Sequence, residues 1–387
     1  MENNNLLEMK RNNFMKAVNR QEGAYVPTLI TGSCATIGWA GKRAVDVLQD
    51  PQEFADAMTK VLDEMWVDVA SQFGVLFTEI PGKVFDPVQF LFGPDGTTVE
   101  HIQLCLMERD EYPQFIQDMN GYIANVLLPR KYPRFFTDRE WAKTALKAFN
   151  DDKLRAFIVL QSALDKTLED RYGVSSIVNL TKELVCNPFD ALFDNFRGFR
   201  GTLTDLRRQR ENVKGAVETI WENRNAPGFE RPLDKPFPYA VQYPHIAPYL
   251  NPRDFDEIYW PYEKKLLERV AEGGGKTFIC LEGRWEKVWH HFLELPKDSC
   301  ILLVDDDDFY KAYAELGQHH IICGGMNSVD LKTKSFAQVK DDLKRLVDTC
   351  APGGGFICCP NKAWVAPSDV NGTAIEAYNF IHEYSSK

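Results

Sequence analysis

Short runs rich in alternating or β-branched apolar residues recur along the chain, and longer stretches with apolar residues three and four apart lie between them. The runs at 26–30, 74–80, 157–161, 239–243, 277–281, 301–304, 320–323 and 355–359 have the length and composition of strands. The stretches at 51–67, 181–196, 252–272 and 336–349 each carry one apolar face and predict amphipathic helices. Eight strands alternating with helices predict an α/β fold, specifically a (β/α)8 TIM barrel. On this reading residues 1–387 form one domain. Residues 81–152 break the rhythm and predict an elaborated connection after the second strand, carrying a hairpin and helices over the C-terminal mouth of the barrel.

A doubly wound open sheet is the structural competitor. Thr31-Gly-Ser-Cys-Ala-Thr-Ile-Gly38 does not match the glycine fingerprint of a dinucleotide turn. Gly273-Gly-Gly275-Lys-Thr277 superficially resembles a phosphate loop, but its glycines close a helix and lead into a strand. They predict a helix C-cap.

At 387 residues, with 44% hydrophobic and 26% charged, the chain has ample material for a large core. No apolar run approaches the roughly 18 residues of a spanning helix, and the start lacks a signal peptide, so the expectation is a cytoplasmic protein with no membrane partner. A net charge of -11 offers no basic footprint for nucleic acid. Nine cysteines, an odd number without Cys-x-x-Cys spacing, argue against a disulfide framework. Cys280 and Cys323 stand within apolar runs, where a thiol packs as a small hydrophobe.

The segment Phe193-Asp-Asn-Phe-Arg-Gly-Phe-Arg-Gly-Thr-Leu-Thr-Asp205-Leu-Arg-Arg, followed by Cys280-Leu-Glu282-Gly, Leu293-Glu-Leu-Pro296, Cys323-Gly-Gly-Met-Asn327 and Gly353-Gly-Gly-Phe-Ile357, resembles a divergent branch of the uroporphyrinogen decarboxylase-like superfamily. That superfamily also contains corrinoid-dependent methyltransferases. The resemblance implies a barrel, a small-molecule substrate, a homodimer, and methyl transfer to or from a corrinoid held by a separate partner protein. The porphyrinogen enzymes resembled carry arginines after the first strand for a substrate with many carboxylates. Here the stretch from Pro27 has no arginine before Arg43, which argues against that substrate.

Methyltransferases of the superfamily activate a thiol on zinc, using ligands that resemble His-x-Cys at one strand end and a later cysteine near the last strand. This chain reads Phe278-x-Cys280 and places Asn361 at the later position, so the inherited zinc site is incomplete. His245, Cys280 and Glu282 remain as a donor set that would suit zinc, and equally as groups working without metal. His245 can move a proton near neutral pH, and Glu282 can act as acid, base or anchor for a cation. The competing reading is structural: His245 fixes a loop, and Glu282 caps a helix beginning at Glu282–Glu286.

Placement at strand ends selects the remaining candidates. His245, Glu282 and Cys280 are the expected catalytic residues, and Trp39, Tyr243, Asp305, Met326, Asn327 and Asn361 the expected substrate-binding ones. Asp305-Asp-Asp-Asp308 lacks the spacing of a calcium loop, and one of its aspartates is expected to cap the helix at 309–316. Phe77, Trp285 and Trp364 also fall near strand ends, where aromatic rings would suit a flat or methylated ligand. The favoured function is a corrinoid-dependent methyltransferase or demethylase component. The alternatives are a decarboxylase of a small carboxylic acid and a non-catalytic small-molecule binding barrel.

Overall fold

The computed structural model describes residues 2–71, 90–148, 154–176, 183–184, 186–230 and 240–386. Its frame is a set of parallel strands in two sheets. One sheet orders β1 (Leu29–Thr31), β2 (Val69–Ser71) and β5 (Ser175–Ser176). The other runs β11-β10-β9-β8-β7-β6, formed by Phe356–Pro360, Ile321–Met326, Cys300–Val304, Thr277–Leu281, Ala240–Gln242 and Glu183–Leu184. Parallel bridges from Thr28 to Cys358 and from Gly32 to Trp364 connect β1 to β11. Among the described residues, nine parallel strands are therefore linked in one succession. The residues between β5 and β6 lie outside those described.

The two sheets share an apolar core. Leu29, Val69, Val241, Phe278, Ile301, Leu303, Ile321, Cys323, Ile357 and Cys359 form one buried cluster, alternating along their strands as the period of two requires. Phe14, Ala17 and Val18 of the first helix, Glu2–Val18, plug the end where the strands begin. Phe278 is fully buried within this layer and registers with Val241 and Ile301. Its apolar character is thus a packing requirement.

The expected strands at 277–281, 301–304, 320–323 and 355–359 are found within a residue or three. The strand expected at 157–161 is corrected. It lies inside the helix Leu154–Tyr172, whose Leu160, Leu164 and Leu168 recur every four residues and are buried. That spacing outweighs the β-branched pair Ile158-Val159, which is exposed. The strand expected at 74–80 and the ring of Phe77 lie outside the described residues, whereas Val69–Ser71 forms β2 just before them.

The region after β2 contains the antiparallel hairpin of β3 (Phe90–Phe92) and β4 (Val99–His101), followed by short helices. Its attachment uses a widened helical turn, Phe193–Arg197, with π-type hydrogen bonding. The Phe196 carbonyl there accepts from the backbone N–H groups of Leu106 and Met107, both at 2.9 Å. Gly198 follows at φ +71°, and a Cβ at that position would stand 3.0 Å from the Leu104 carbonyl. Only glycine meets both demands. No helix among the described residues is long and apolar enough to cross a membrane.

Candidate active site at the strand ends

The central arrangement begins with two aspartates four residues apart. Asn187 caps the helix Pro188–Leu192 by accepting from Phe189 N–H, and Pro188 supplies a preset first-turn dihedral. The helix then widens into Phe193–Arg197, a π-type distortion of the kind that often re-aims side chains at functional sites. Asp190 and Asp194 both reach the segment following β7. Asp190 Oδ1 accepts from the backbone N–H groups of His245 and Ile246 at 2.8 Å each, and Asp194 Oδ2 lies 2.8 Å from His245 Nδ1. On the other side of the ring, His245 Nε2 is 3.8 Å from Glu282 Oε2.

His245 is therefore bracketed by two carboxylates. Burial opposes its charge, but the hydrogen bond and charge of Asp194, with further help from Glu282 and Asp190, carry its pKa up to about 9. Near neutral pH the imidazole is a cation that holds a transferable proton. Its side chain remains 37% exposed. Glu282 is pushed above its ordinary range by burial and by Asp305 and Asp194, with the His245 charge opposing. The Glu282 peptide carbonyl accepts from the Trp285 indole N–H at 3.0 Å. Gly283, at φ +80°, donates its N–H to Asp305 Oδ2 at 2.9 Å. The helix expected to start at Glu282 is corrected, since turns follow and a 3-10 segment begins only at Trp289.

Tyr243 and Cys280 form the floor, packed on the apolar core. Burial raises the Cys280 thiol pKa well above its ordinary value, with Glu282, Cys359 and Asp305 adding to the effect. It is held as a neutral thiol, which suits packing and disfavours nucleophilic attack. Burial likewise raises Tyr243, which also feels Cys280 and Glu282 and shares a hydrogen bond with Ser71 at the end of β2. His101 of β4 brings the hairpin into the same electrostatic neighbourhood. Burial lowers its pKa, while Asp194 raises it and His245 and Lys131 lower it further.

The other expected binding residues occupy a neighbouring, different place. Asp305, Met326, Asn327 and Asn361 line a cavity of about 400 Å³ together with Phe309 and Leu331. Its polar groups are largely engaged. Asn327 caps the helix Ser328–Thr333, and Asn361 joins Ser328 N–H to the Asp305 carbonyl, each at 2.9 Å. Asp305 pairs with Lys362 Nζ at 2.7 Å. Met326 is 1% exposed and belongs to the helix-side core. The amides expected to bind substrate thus tie strand ends to helices. Asp308 caps Phe309–Leu316, as its position predicts, while Asp307 accepts from Trp285 and Glu286 N–H.

Trp39 is also redirected. Its indole donates to Glu64 Oε1 at 3.2 Å, on the segment leading into β2, and the residue stands outside the His245 group. Trp285 and Trp364 are buried as packing rings. Asp190, Asp194 and His101 are the site groups that strand-end reasoning passes over. The signal available for the aspartates is their four-residue spacing between phenylalanines, which places two acids on one helical face.

Among the described residues, no three His, Cys, Asp or Glu side chains are grouped to hold a metal ion. His245, Cys280 and Glu282 are not arranged as a zinc ligand set. No family model matches the chain, and no curated protein matches it in sequence. A solved structure of a methyltransferase from Methanosarcina mazei aligns over 97% of this chain and 98% of its own length, with a TM-score of 0.61 at 10% sequence identity. At that identity the likeness is one of fold.

Proposed function

We propose that this chain is the substrate-handling component of a methyl-transfer reaction, with the two sheets closing between β5 and β6 into one barrel and His245 acting as proton donor at its mouth. The observation that carries this reading is the imidazole held between Asp194 and Glu282 in a side chain that stays 37% exposed. The resemblance in sequence and the fold of the Methanosarcina mazei methyltransferase support the reaction class.

Removing methyl from a heteroatom breaks a carbon–heteroatom bond and leaves both electrons on the heteroatom. That leaving group departs more readily when a proton reaches it in the transition state. Asp194 fixes His245 through Nδ1, so Nε2 is the atom that delivers the proton, and solvent restores it afterwards. Glu282 orients the imidazolium and shapes the polar side of the pocket, while Tyr243 and Cys280 present its floor. The direction favoured is demethylation of the small molecule. A corrinoid held by a separate protein would supply the nucleophilic cobalt that takes the methyl group. The rim beside His245 would receive that carrier, because Tyr249 there is 58% exposed and packs edge-on against Phe199 at 4.7 Å.

The test is direct. Purified protein would be incubated with reduced free cobalamin and, separately, a methyl aryl ether, a methylated amine and a methyl thioether, with methyl–cobalt formation followed spectroscopically. Catalysed methylation that His245→Ala lowers about a hundredfold or more supports the proposal. Carbon dioxide release from a small carboxylic acid, with no methyl–cobalt from any donor, overturns it in favour of a decarboxylase.

A further inference from the structure

Behind His245 lies a layer of buried polar groups with no direct access to substrate. Asp190 is 2% exposed and receives three hydrogen bonds, two from the backbone of His245 and Ile246 and one from the Tyr259 hydroxyl at 2.9 Å. Tyr259 belongs to the widened turn Phe255–Tyr259, just before the helix Trp260–Glu272. One turn further on, Glu263 is fully buried, and its Oε2 accepts from Asn187 Nδ2 at 2.9 Å and Gln242 Nε2 at 3.3 Å. Asn187 Nδ2 also reaches the Tyr259 carbonyl at 3.3 Å. The layer therefore joins the ends of β6 and β7 to two helices.

The division of labour within it is geometric. A carboxylate that accepts two consecutive backbone N–H groups fixes peptide planes, which a side-chain contact to the ring alone would not do. Asp194 sets the ring, and Asp190 sets the backbone from which the ring projects. The two aspartates sit on one helical face, so their spacing fixes the position and the tilt of the imidazole together. Glu263 Oε1 and Gln242 Oε1 are both buried acceptor atoms without partners. A proton on Glu263 turns one of these acceptors into a donor and removes a second negative charge from the neighbourhood of Asp190.

We infer that Asp190 is the positioning residue of the reactive imidazole, held as an anion by the Tyr259 hydroxyl while Glu263 behind it stays a neutral acid. This rests on His245 being the proton donor for turnover, but its physical content concerns the imidazole itself. The charged and titratable groups around His245 are Asp190 and Asp194 from the helix and its widened turn, Glu282 after β8, and His101 from β4. Those around Asp190 are His245, Asp194, Glu263, Tyr259 and Cys186. Burial raises the pKa of Asp190 to about 6 and that of Glu263 to about 8, in keeping with the assigned charges at neutral pH.

The experiment is an NMR titration of ring-labelled histidines in the full-length protein, with His245→Gln used to assign the resonance. Asp190→Asn keeps the shape but offers a single acceptor oxygen and no charge. The expected result is a fall of about one pH unit or more in the His245 midpoint, reflecting lost anion and lost alignment. Turnover is expected to drop about tenfold to a hundredfold, mainly in kcat, with its alkaline limb moving in step with the NMR midpoint. A folded Asp190→Asn protein whose His245 midpoint and kcat profile match the wild type overturns the inference. Should that variant fail to fold, Tyr259→Phe takes its place, because it deletes a single donor to Asp190. An unchanged His245 midpoint in folded Tyr259→Phe overturns the inference equally. If His245→Ala instead retains full turnover, the proton-donor reading falls while the titration still decides the positioning role.

Discussion

Asp194 Oδ2 lies 2.8 Å from His245 Nδ1, and the ring's other nitrogen faces Glu282. This relationship makes the imidazole cationic near neutral pH and dictates its pH behaviour. Because the folded pKa is raised from 6.5 to about 9, the pairing stabilises the fold fully below about pH 6.5, and that contribution is lost as pH rises through about 9. Turnover that needs the imidazolium follows the same alkaline limb. Asp194→Asn should bring the limb down toward the ordinary histidine range and lower kcat about a hundredfold. A kcat–pH profile with its limb still near 9 in Asp194→Asn would show that this pair does not control the reaction.

Glu263 supplies a second pH prediction, of the same sign but from a group held neutral in the fold. Burial holds its folded pKa at about 8 against an ordinary 4.5, so between those values the unfolded chain releases a proton that the folded chain retains. Stability contributed by this group therefore falls as pH climbs from about 4.5 to 8, and the slope ends above 8, where both states are ionised. Glu263→Gln is neutral throughout and should remove that slope. Its melting temperature relative to wild type should rise steadily from pH 5 to pH 8.5 in scanning calorimetry. A constant difference across that range would mean that Glu263 is already ionised in the fold.

These residues also show where sequence reading reaches and where it stops. The strands β8 to β11 are legible because apolar positions alternate with a buried partner on either side, and Thr277–Leu281 is recovered with its stated ends. The proximity of His245 and Glu282 is legible because both follow parallel strands, and the structure brings them within 3.8 Å. Asp194 lies on a helix, outside the strand-end search, and only the tertiary packing of Phe193–Arg197 against the loop after β7 turns it toward His245. Met326, Asn327 and Asn361 gather around a cavity apart from His245. Their positions at strand ends are as expected, yet local backbone geometry recruits their polar groups for caps and bridges or buries the side chain outright.

Arg197 and Asp205 anchor the region that brings His101 into the electrostatic neighbourhood of His245. Their side chains are 8% and 0% exposed, with Nε to Oδ2 at 2.7 Å, and Arg197 Nη1 donates to the Met107 carbonyl at 2.9 Å. Removing the cation leaves a buried carboxylate with the Tyr112 hydroxyl and the half-exposed Arg109 nearby, each at 3.3 Å. Arg197→Met should destabilise the fold by about 3–5 kcal/mol. Limited proteolysis should cut first between residues 102 and 148, before the parallel strands. Equal denaturation midpoints for the variant and the wild type would show that the clamp contributes nothing.

Placing a histidine at position 278, where the zinc-dependent methyltransferases that the sequence resembles are expected to carry one, tests what Phe278 does. The side chain is fully buried among Val241, Ile301 and their neighbours, two residues before Cys280 on the same strand. An imidazole there leaves part of the aromatic volume empty and buries ring nitrogens in an apolar layer, each of which destabilises. Phe278→His should therefore lower stability by about 2–4 kcal/mol. The later ligand position also works against metal capture, because the Asn361 carboxamide bridges Ser328 N–H and the Asp305 carbonyl. Phe278→His alone should bind no stoichiometric zinc after dialysis against the metal, and Phe278→His/Asn361→Cys should lose further stability as those two hydrogen bonds go. Tight one-to-one zinc uptake by the single variant, with stability regained on loading, would mean that the strand end retains a metal-ready geometry and that Phe278 alone keeps it closed.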